Sequence, residues 1–163
     1  MKVASFEIVF QEVPGEVTLA LNISGCPNRC PGCHSPHLWE DTGETLTPEL
    51  LDALVDRYFP GITCVCFMGG DQDPDYVRLL ATRVHEQYNI KTAWYTGHNY
   101  DLLNNPEIAK WLETFDFVKT GPYIAECGGL KSPTTNQRFY ARKQSLWQDE
   151  TNLFRPQRLH SKT

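Results

Sequence analysis

The sequence predicts an α/β protein with a mostly parallel sheet, and three observations support that prediction. Short apolar runs alternate along the chain with segments of helical periodicity, which is typical of repeated βα units. Gly, Pro, Asn and Asp residues separate the two kinds of segment. The chain has 163 residues, of which 40% are hydrophobic, so it is large enough to bury one core.

The first predicted elements are a strand, a helix and a second strand. The strand covers Val17–Ile23 and leads directly into a cysteine-containing loop. Apolar residues then recur at helical spacing between residues 50 and 59, with Thr47 as the expected N-cap and Pro48 at the first helical position. Ile62–Met68 is almost continuously apolar, as expected of a strand that is buried on both faces.

The alternation continues through the middle of the chain. Asp73-Pro74 opens a helix whose apolar face extends to Tyr88, and Ile90–Thr96 follows as a strand. Asn105-Pro106 starts a short helix, and Phe115–Lys119 is the last predicted strand. In parallel sheets of this kind, ligands bind at the carboxyl ends of the strands.

Composition and charge restrict where the protein acts and what it binds. A formal net charge of −5 argues against a nucleic-acid partner, because phosphates would be repelled. No apolar run reaches the roughly 20 residues that a membrane helix needs, so no membrane partner is expected. Glu7, Gln11 and Glu12 stand where a secretory signal would be apolar. We therefore expect a cytoplasmic protein with reduced cysteines.

The carboxyl-terminal part differs from the rest in charge. Residues 138–163 contain six Lys or Arg residues but only two acidic ones. Periodicity is weak after about residue 147. The sequence therefore predicts one domain over residues 1–147 and a flexible tail over residues 148–163.

Three of the six cysteines lie in one loop, as Cys26-Pro-Asn-Arg-Cys30-Pro-Gly-Cys33. This spacing lets a single loop wrap one metal centre. A zinc ion normally takes four protein ligands, so the fourth would be His34, His37 or a remote cysteine. An iron–sulfur cube held by three thiolates instead leaves one iron open to a substrate. Three unligated neighbouring thiols would only be an oxidation hazard.

The other three cysteines receive simpler interpretations. Cys64 and Cys66 alternate within an apolar strand, so we interpret them as core side chains on one face of the sheet. Cys127 precedes Gly128-Gly129 in a predicted loop and is interpreted as incidental.

Gly69-Gly70-Asp71 ends the second buried strand. Taken alone, such a sequence indicates an ordinary tight turn. In a parallel sheet, however, it lies at the same edge as the cysteine loop, which favours a ligand contact there. The glycines would let the backbone approach the ligand closely, and Asp71 would favour a positively charged group.

These motifs together resemble the radical S-adenosylmethionine enzymes. The loop from Cys26 to Trp39 is most similar to that of the activating proteins of anaerobic ribonucleoside-triphosphate reductases. Trp94–Gly97, Val118–Tyr123 and Ser132–Arg138, with its Asn-Gln pair, agree further with that group. The resemblance extends over roughly residues 6–142.

The resemblance implies a fold, a cofactor and a set of contacts. The fold would be a short partial (βα) barrel of the radical S-adenosylmethionine type. A [4Fe-4S] cluster would be held by Cys26, Cys30 and Cys33. This chain has Gly32 where many radical enzymes of the class have an aromatic residue, so backbone at 32–34 or Trp39 would contact the adenine. The implied contacts to S-adenosyl-L-methionine are Gly32, Cys33, His34, Gly69, Gly70 and Asp71.

The implied activity is that of an oxidoreductase that generates a glycyl radical. S-adenosylmethionine would be cleaved reductively to methionine and a 5′-deoxyadenosyl radical, which would take a hydrogen atom from a glycine of the reductase large subunit. The cofactors carry this chemistry, so no catalytic side chain is expected. A flavodoxin or ferredoxin would donate the electron. The sequence leaves the oligomeric state open, a homodimer included.

Two alternatives remain open at this point. The first is a radical S-adenosylmethionine enzyme that acts on a small molecule, although the late Asn-Gln pair argues against it. The second is a zinc-binding interaction module without catalysis, which a chelator would unfold because structural zinc contributes folding energy.

Overall fold

A computed structural model describes residues 1–155 of the chain as one eight-stranded sheet with three α-helices. The helices are α1 (Pro48–Tyr58), α2 (Pro74–Tyr88) and α3 (Pro106–Trp111). The strands are β1 (Lys2–Val9), β2 (Thr18–Ile23), β3 (Glu44–Thr45), β4 (Cys64–Met68), β5 (Lys91–Tyr95), β6 (Phe117–Thr120), β7 (Arg138–Lys143) and β8 (Leu146–Asp149).

All three helices begin in the same way. A polar N-cap side chain accepts a hydrogen bond from the backbone N–H three residues later, and proline occupies the next position. The caps are Thr47, Asp73 and Asn105, at the positions predicted from the sequence. Helix α2 ends at Asn89, whose φ of 53° is left-handed, a conformation that asparagine tolerates better than most residues.

The sheet is parallel at its centre and antiparallel at both ends. Its strand order is β3-β1-β2-β4-β5-β6-β7-β8. The pairs from β2 to β6 are parallel, as the alternation of strands and helices predicts. The pairs at the two flanks are antiparallel. The α/β class is therefore confirmed, whereas the partial (βα) barrel stays a prediction.

The two faces of the sheet bury different cores. The helices cover one face, where a large cluster includes Leu51, Leu80, Phe67 and Trp94, all completely buried. A smaller cluster on the opposite face consists of Val13, Cys64, Cys66, Ala93 and Phe139. Loops close this second face instead of helices, which leaves room for a cavity.

The four strands at the sheet flanks were not predicted from the sequence. Strand β1 is only partly buried and polar residues interrupt it, so it lacks the apolar run that identified the central strands. Strands β7 and β8 are joined by a tight turn in which Gln144 and Ser145 have φ values of 50° and 66°. Such turns usually contain Asn-Gly or Asp-Gly, so the usual hairpin signal is missing here.

The predicted tail begins inside this hairpin. Residues 148–155 include the end of β8 and a short 3-10 helix over Thr151–Phe154. Residues 156–163 lie outside the described part of the chain. The division into a domain and a tail at residue 147 stays a prediction. No helix within residues 1–155 has both the length and the apolar character needed to cross a membrane.

Candidate functional site

A cavity of about 660 Å³ lies at the carboxyl-terminal edge of the parallel strands. Four residues in register on neighbouring strands form part of its wall: Asn22, Met68, Tyr95 and Lys119. They belong to the face of the sheet that the helices leave uncovered. The cavity is therefore at the position where parallel sheets bind ligands.

The cysteine loop follows β2 and forms one side of this cavity. Cys26, Cys30 and Cys33 all line it, each partly buried and none in a disulfide. Arg29 and Gly32 have φ values of 43° and 75°, so the loop turns sharply between the cysteines. The carboxyl side of the loop forms the short 3-10 helix Pro36–Trp39, and the Cys26 N–H donates to its Leu38 carbonyl over 3.0 Å.

Two of the thiols have hydrogen-bond donors close by. The Ser35 backbone N–H donates to Cys33 Sγ over 3.4 Å, and Nδ2 of Asn28 lies 3.8 Å from Cys26 Sγ. Within residues 1–155, no group of three or more His, Cys, Asp or Glu side chains is arranged to hold a single metal ion.

The Gly69-Gly70-Asp71 turn meets the cavity only in part. Gly69 lines the wall, with a φ of 106° that favours glycine. Its carbonyl already accepts a hydrogen bond from the Trp94 indole over 2.8 Å. Gly70 packs against α2 instead, because a Cβ there would lie 2.5 Å from a methyl group of Val77.

The Asp71 carboxylate is buried behind the wall rather than within it. The Asp71 residue is 7% exposed, and its Oδ2 accepts hydrogen bonds from the Gly97 backbone over 2.8 Å and from the Asn28 side chain. Its Oδ1 is buried and has no partner among the described residues. One oxygen thus joins neighbouring loops, while the other retains capacity to accept a hydrogen bond.

Lys119 is a cavity residue that the sequence analysis did not identify. Burial lowers its pKa from 10.5 to about 8, although Asp71 and the three loop cysteines act in the opposite direction. Its Nζ donates to the Gly121 carbonyl over 2.7 Å. The resemblance had drawn attention to the segment that contains Lys119, but a lysine at the end of a strand is usually a surface residue.

Aromatic side chains form another part of the wall. The rings of His34 and Tyr123 lie 5.1 Å apart, centre to centre, and both residues line the cavity with Trp39. The Trp39 indole N–H is buried without a partner in the described residues. Of the predicted contacts, Cys33, His34 and Gly69 line the cavity, whereas Gly32, Gly70 and Asp71 do not form part of its wall.

The late Asn-Gln pair holds the loop that follows β6. Asn136 donates to the Pro122 carbonyl over 2.9 Å, and Gln137 donates to the Gly121 carbonyl over 3.4 Å. Gly121 has a φ of 94°, and a Cβ there would lie 3.2 Å from the Gln137 backbone. The pair therefore fixes the backbone that also receives the Lys119 ammonium.

The remaining cysteines lie apart from this loop. Cys64 and Cys66 are completely buried in the smaller core, which confirms their interpretation as core residues. Burial raises the pKa of both thiols, so they remain protonated and inert. Cys127 is partly buried and free.

Comparison with known proteins gives one family and two similar proteins. Residues 13–143 match the family described as "4Fe-4S single cluster domain". The anaerobic ribonucleoside-triphosphate reductase-activating protein of Salmonella typhimurium (strain LT2) is 30% identical over 125 residues, which cover 69% of this chain and 77% of the relative. The protein of the same name from Salmonella typhi matches with the same identity and coverage. No solved structure matches the chain significantly.

Proposed function

Because the chain belongs to the 4Fe-4S single cluster domain family and to the radical S-adenosylmethionine activating proteins of anaerobic ribonucleoside-triphosphate reductase, we propose that it cleaves S-adenosylmethionine reductively and thereby generates a glycyl radical on such a reductase. The observation that carries this proposal is a single cavity shared by the cysteine loop after β2 and the glycine turn after β4. Two motifs that are 36 residues or more apart in the chain meet there.

The donor set of the loop fits a [4Fe-4S] cluster. Three free thiols line one cavity, enough to ligate three of the four irons of a cube, one cysteine to each. Cys26, Cys30 and Cys33 would hold the cluster and leave one iron without a protein ligand. The cluster and S-adenosylmethionine together would supply one-electron cleavage chemistry, and the chain supplies binding and orientation.

The cavity offers a group of the right charge for each end of S-adenosylmethionine. The Lys119 ammonium would pair with the carboxylate of the methionine moiety, as a charge-assisted hydrogen bond. The Asp71 carboxylate lies behind the wall residues Asn28 and Gly97, and its negative charge would favour the ammonium of the methionine moiety. Trp39, His34 and Tyr123 would provide flat surfaces for the adenine.

Exposed apolar side chains next to wall residues in the chain support a macromolecular substrate. Three exposed apolar side chains, Phe10, Ile124 and Leu153, each precede or follow a wall residue in the chain. A segment of the reductase large subunit that carries the target glycine would enter here. A cytoplasmic location and a flavodoxin or ferredoxin as electron donor belong to the same proposal.

The test begins with anaerobically purified protein. We expect about four irons per chain and a paramagnetic resonance signal after dithionite reduction that changes when S-adenosylmethionine is added. With an anaerobic ribonucleoside-triphosphate reductase whose glycines carry deuterium on the α-carbon, 5′-deoxyadenosine should acquire deuterium and the reductase should show a glycyl radical signal. Cys30→Ala should abolish the cluster and all cleavage.

Two results would contradict the proposal. If the Cys30→Ala variant still cleaved S-adenosylmethionine, the assignment of Cys30 as a cluster ligand would be wrong. If the protein contained one zinc per chain, no iron and no paramagnetic resonance signal, radical chemistry would be excluded. The protein would then be a zinc-binding interaction module.

A further inference from the structure

Three loops meet at the Asp71 carboxylate, beside the carboxyl ends of β2, β4 and β5. Its Oδ2 accepts hydrogen bonds from the Gly97 backbone and from Nδ2 of Asn28. A Cβ at Gly97 would lie 2.3 Å from the same Nδ2, so a residue without a side chain is needed for the amide to fit. Asn28 therefore occupies a defined position between the two other loops.

The same nitrogen also faces a thiol. Nδ2 of Asn28 lies 3.8 Å from Cys26 Sγ, within the range of an N–H···S hydrogen bond. A primary amide carries two N–H hydrogens, so one can point to the carboxylate and the other to the sulfur. Carboxylate, amide and sulfur then form a chain of hydrogen bonds in which each bond polarises the next.

We propose that Asn28 is a positioning residue. Its hydrogen bond to Asp71 orients the amide so that it donates a second hydrogen bond to the Cys26 sulfur, and this second bond raises the reduction potential of the cluster held there. The inference rests on the proposed function, since it concerns the cluster of that site. Hydrogen bonds to ligating sulfurs stabilise the additional negative charge of the reduced state. The loop motif itself does not require an asparagine between the first two cysteines, so this property belongs to the chain rather than to the spacing.

The other sulfur contact of the loop provides a natural contrast. Cys33 Sγ accepts from the Ser35 backbone N–H, which no side-chain substitution removes. Among the described residues, Asn28 is the side chain that donates to one of the three thiols. A substitution at Asn28 therefore tests one sulfur hydrogen bond while the backbone bond stays in place.

The experiment measures the midpoint potential of the loaded protein by paramagnetic resonance during a redox titration without S-adenosylmethionine. We expect Asn28→Leu to shift the potential to more negative values at unchanged iron content. Asn104→Leu is the matched control, because the exposed Asn104 side chain also donates to an aspartate, Asp101, over 2.8 Å but does not line the cavity. Its potential should stay near that of the wild type. If leucine at position 28 prevents iron loading, Asn28→Ser replaces it, since a hydroxyl there is too short to reach both partners.

A double-mutant cycle tests the role of Asp71. Asp71→Asn removes a negative charge, which raises the potential, but it also releases Asn28, which lowers it. The two substitutions should therefore be non-additive in potential. Equal potentials for wild type and Asn28→Leu, or additivity in the cycle, would overturn the inference while the iron content and the response to S-adenosylmethionine still supported the proposed function. A wild-type protein without iron would instead overturn the proposed function itself.

Discussion

The Lys119 side chain lowers the stability of the fold and at the same time supplies a positive charge to the cavity. Lys119 is partly buried in the cavity wall, and desolvation lowers its pKa to about 8. At pH 7 the group is charged in both the native and the unfolded state, so its desolvation reduces stability. The same charge is available to an anionic part of a ligand.

Lys119→Met should therefore stabilise the protein without its cofactors. We expect the free energy of unfolding at pH 7 to rise by up to about 3 kcal/mol, because one pKa unit corresponds to roughly 1.4 kcal/mol. The native group loses its proton before the unfolded one, so wild-type stability rises between about pH 8 and 10.5. The difference in the free energy of unfolding between Lys119→Met and the wild type, measured by urea denaturation, should become smaller over that pH range.

The same substitution should weaken binding of S-adenosylmethionine to the loaded protein by roughly 10- to 100-fold, the value of a lost charged hydrogen bond. Lys110→Met, at an exposed position of α3, is the control and should change neither property. If Lys119→Met bound S-adenosylmethionine with unchanged affinity, the ammonium would contact only the Gly121 carbonyl and not the ligand.

The six thiols should divide into two groups by reactivity. Cys64 and Cys66 are completely buried, and burial raises the pKa of each, so alkylation at pH 8 should leave both unmodified in the native protein. The three loop cysteines and Cys127 are partly exposed and should react in the reduced, cluster-free protein. Mass spectrometry with and without denaturant distinguishes the groups; early modification of Cys64 or Cys66 would contradict the described core.

At the level of elements, the helix caps make measurable contributions to stability. The Thr47 hydroxyl accepts from the Leu50 N–H over 3.1 Å, so Thr47→Ala should lower the free energy of unfolding by about 1 kcal/mol. Thr82→Ala is the matched control on the exposed surface of α2 and should be neutral or stabilising by a few tenths of a kcal/mol. Thermal or urea denaturation of the two variants gives the comparison, and equal effects would contradict a capping role.

The elements that the sequence predicted are those with strong local signals. The cap-proline pairs and the apolar strand Cys64–Met68 each carry their own evidence, so their positions agree with the structure. Strands β3 and β7 depend on pairing with segments that are distant in the chain, and the hairpin turn at Gln144-Ser145 between β7 and β8 contains no glycine. Pairing between distant segments is not visible in local composition.

In the candidate site too, the residues with a local sequence signal were predicted and those without one were not. Cysteine spacing located the loop, and parallel-sheet geometry brought Gly69 to the same edge. Lys119 and Asn28 were missed because their importance depends on neighbours that only the folded chain supplies. Gly70 was singled out for a ligand, yet its close approach to Val77 gives a packing reason for the missing side chain.

For the whole molecule, the cluster loop lies outside the large core. None of the three loop cysteines belongs to either buried cluster. Replacing Cys26, Cys30 and Cys33 together by Ser should therefore abolish iron binding while the cooperative thermal transition stays within a few degrees of that of the cluster-free wild type. Circular dichroism checks the transition and metal analysis checks the iron. A loss of cooperative unfolding would point instead to a metal-dependent fold.

The smaller core has a consequence for how the molecule opens. Val13, Leu130 and Phe154 reach it from loops or from a short 3-10 helix, and together they cover the open side of the sheet. The smaller core contains far fewer buried residues than the large one, so lifting these segments should cost less than global unfolding. Amide hydrogens around the cavity should then exchange with solvent long before those of α1 and α2. Opening confined to these loops, with the helices still protected, is the exchange pattern that the separation into two cores predicts.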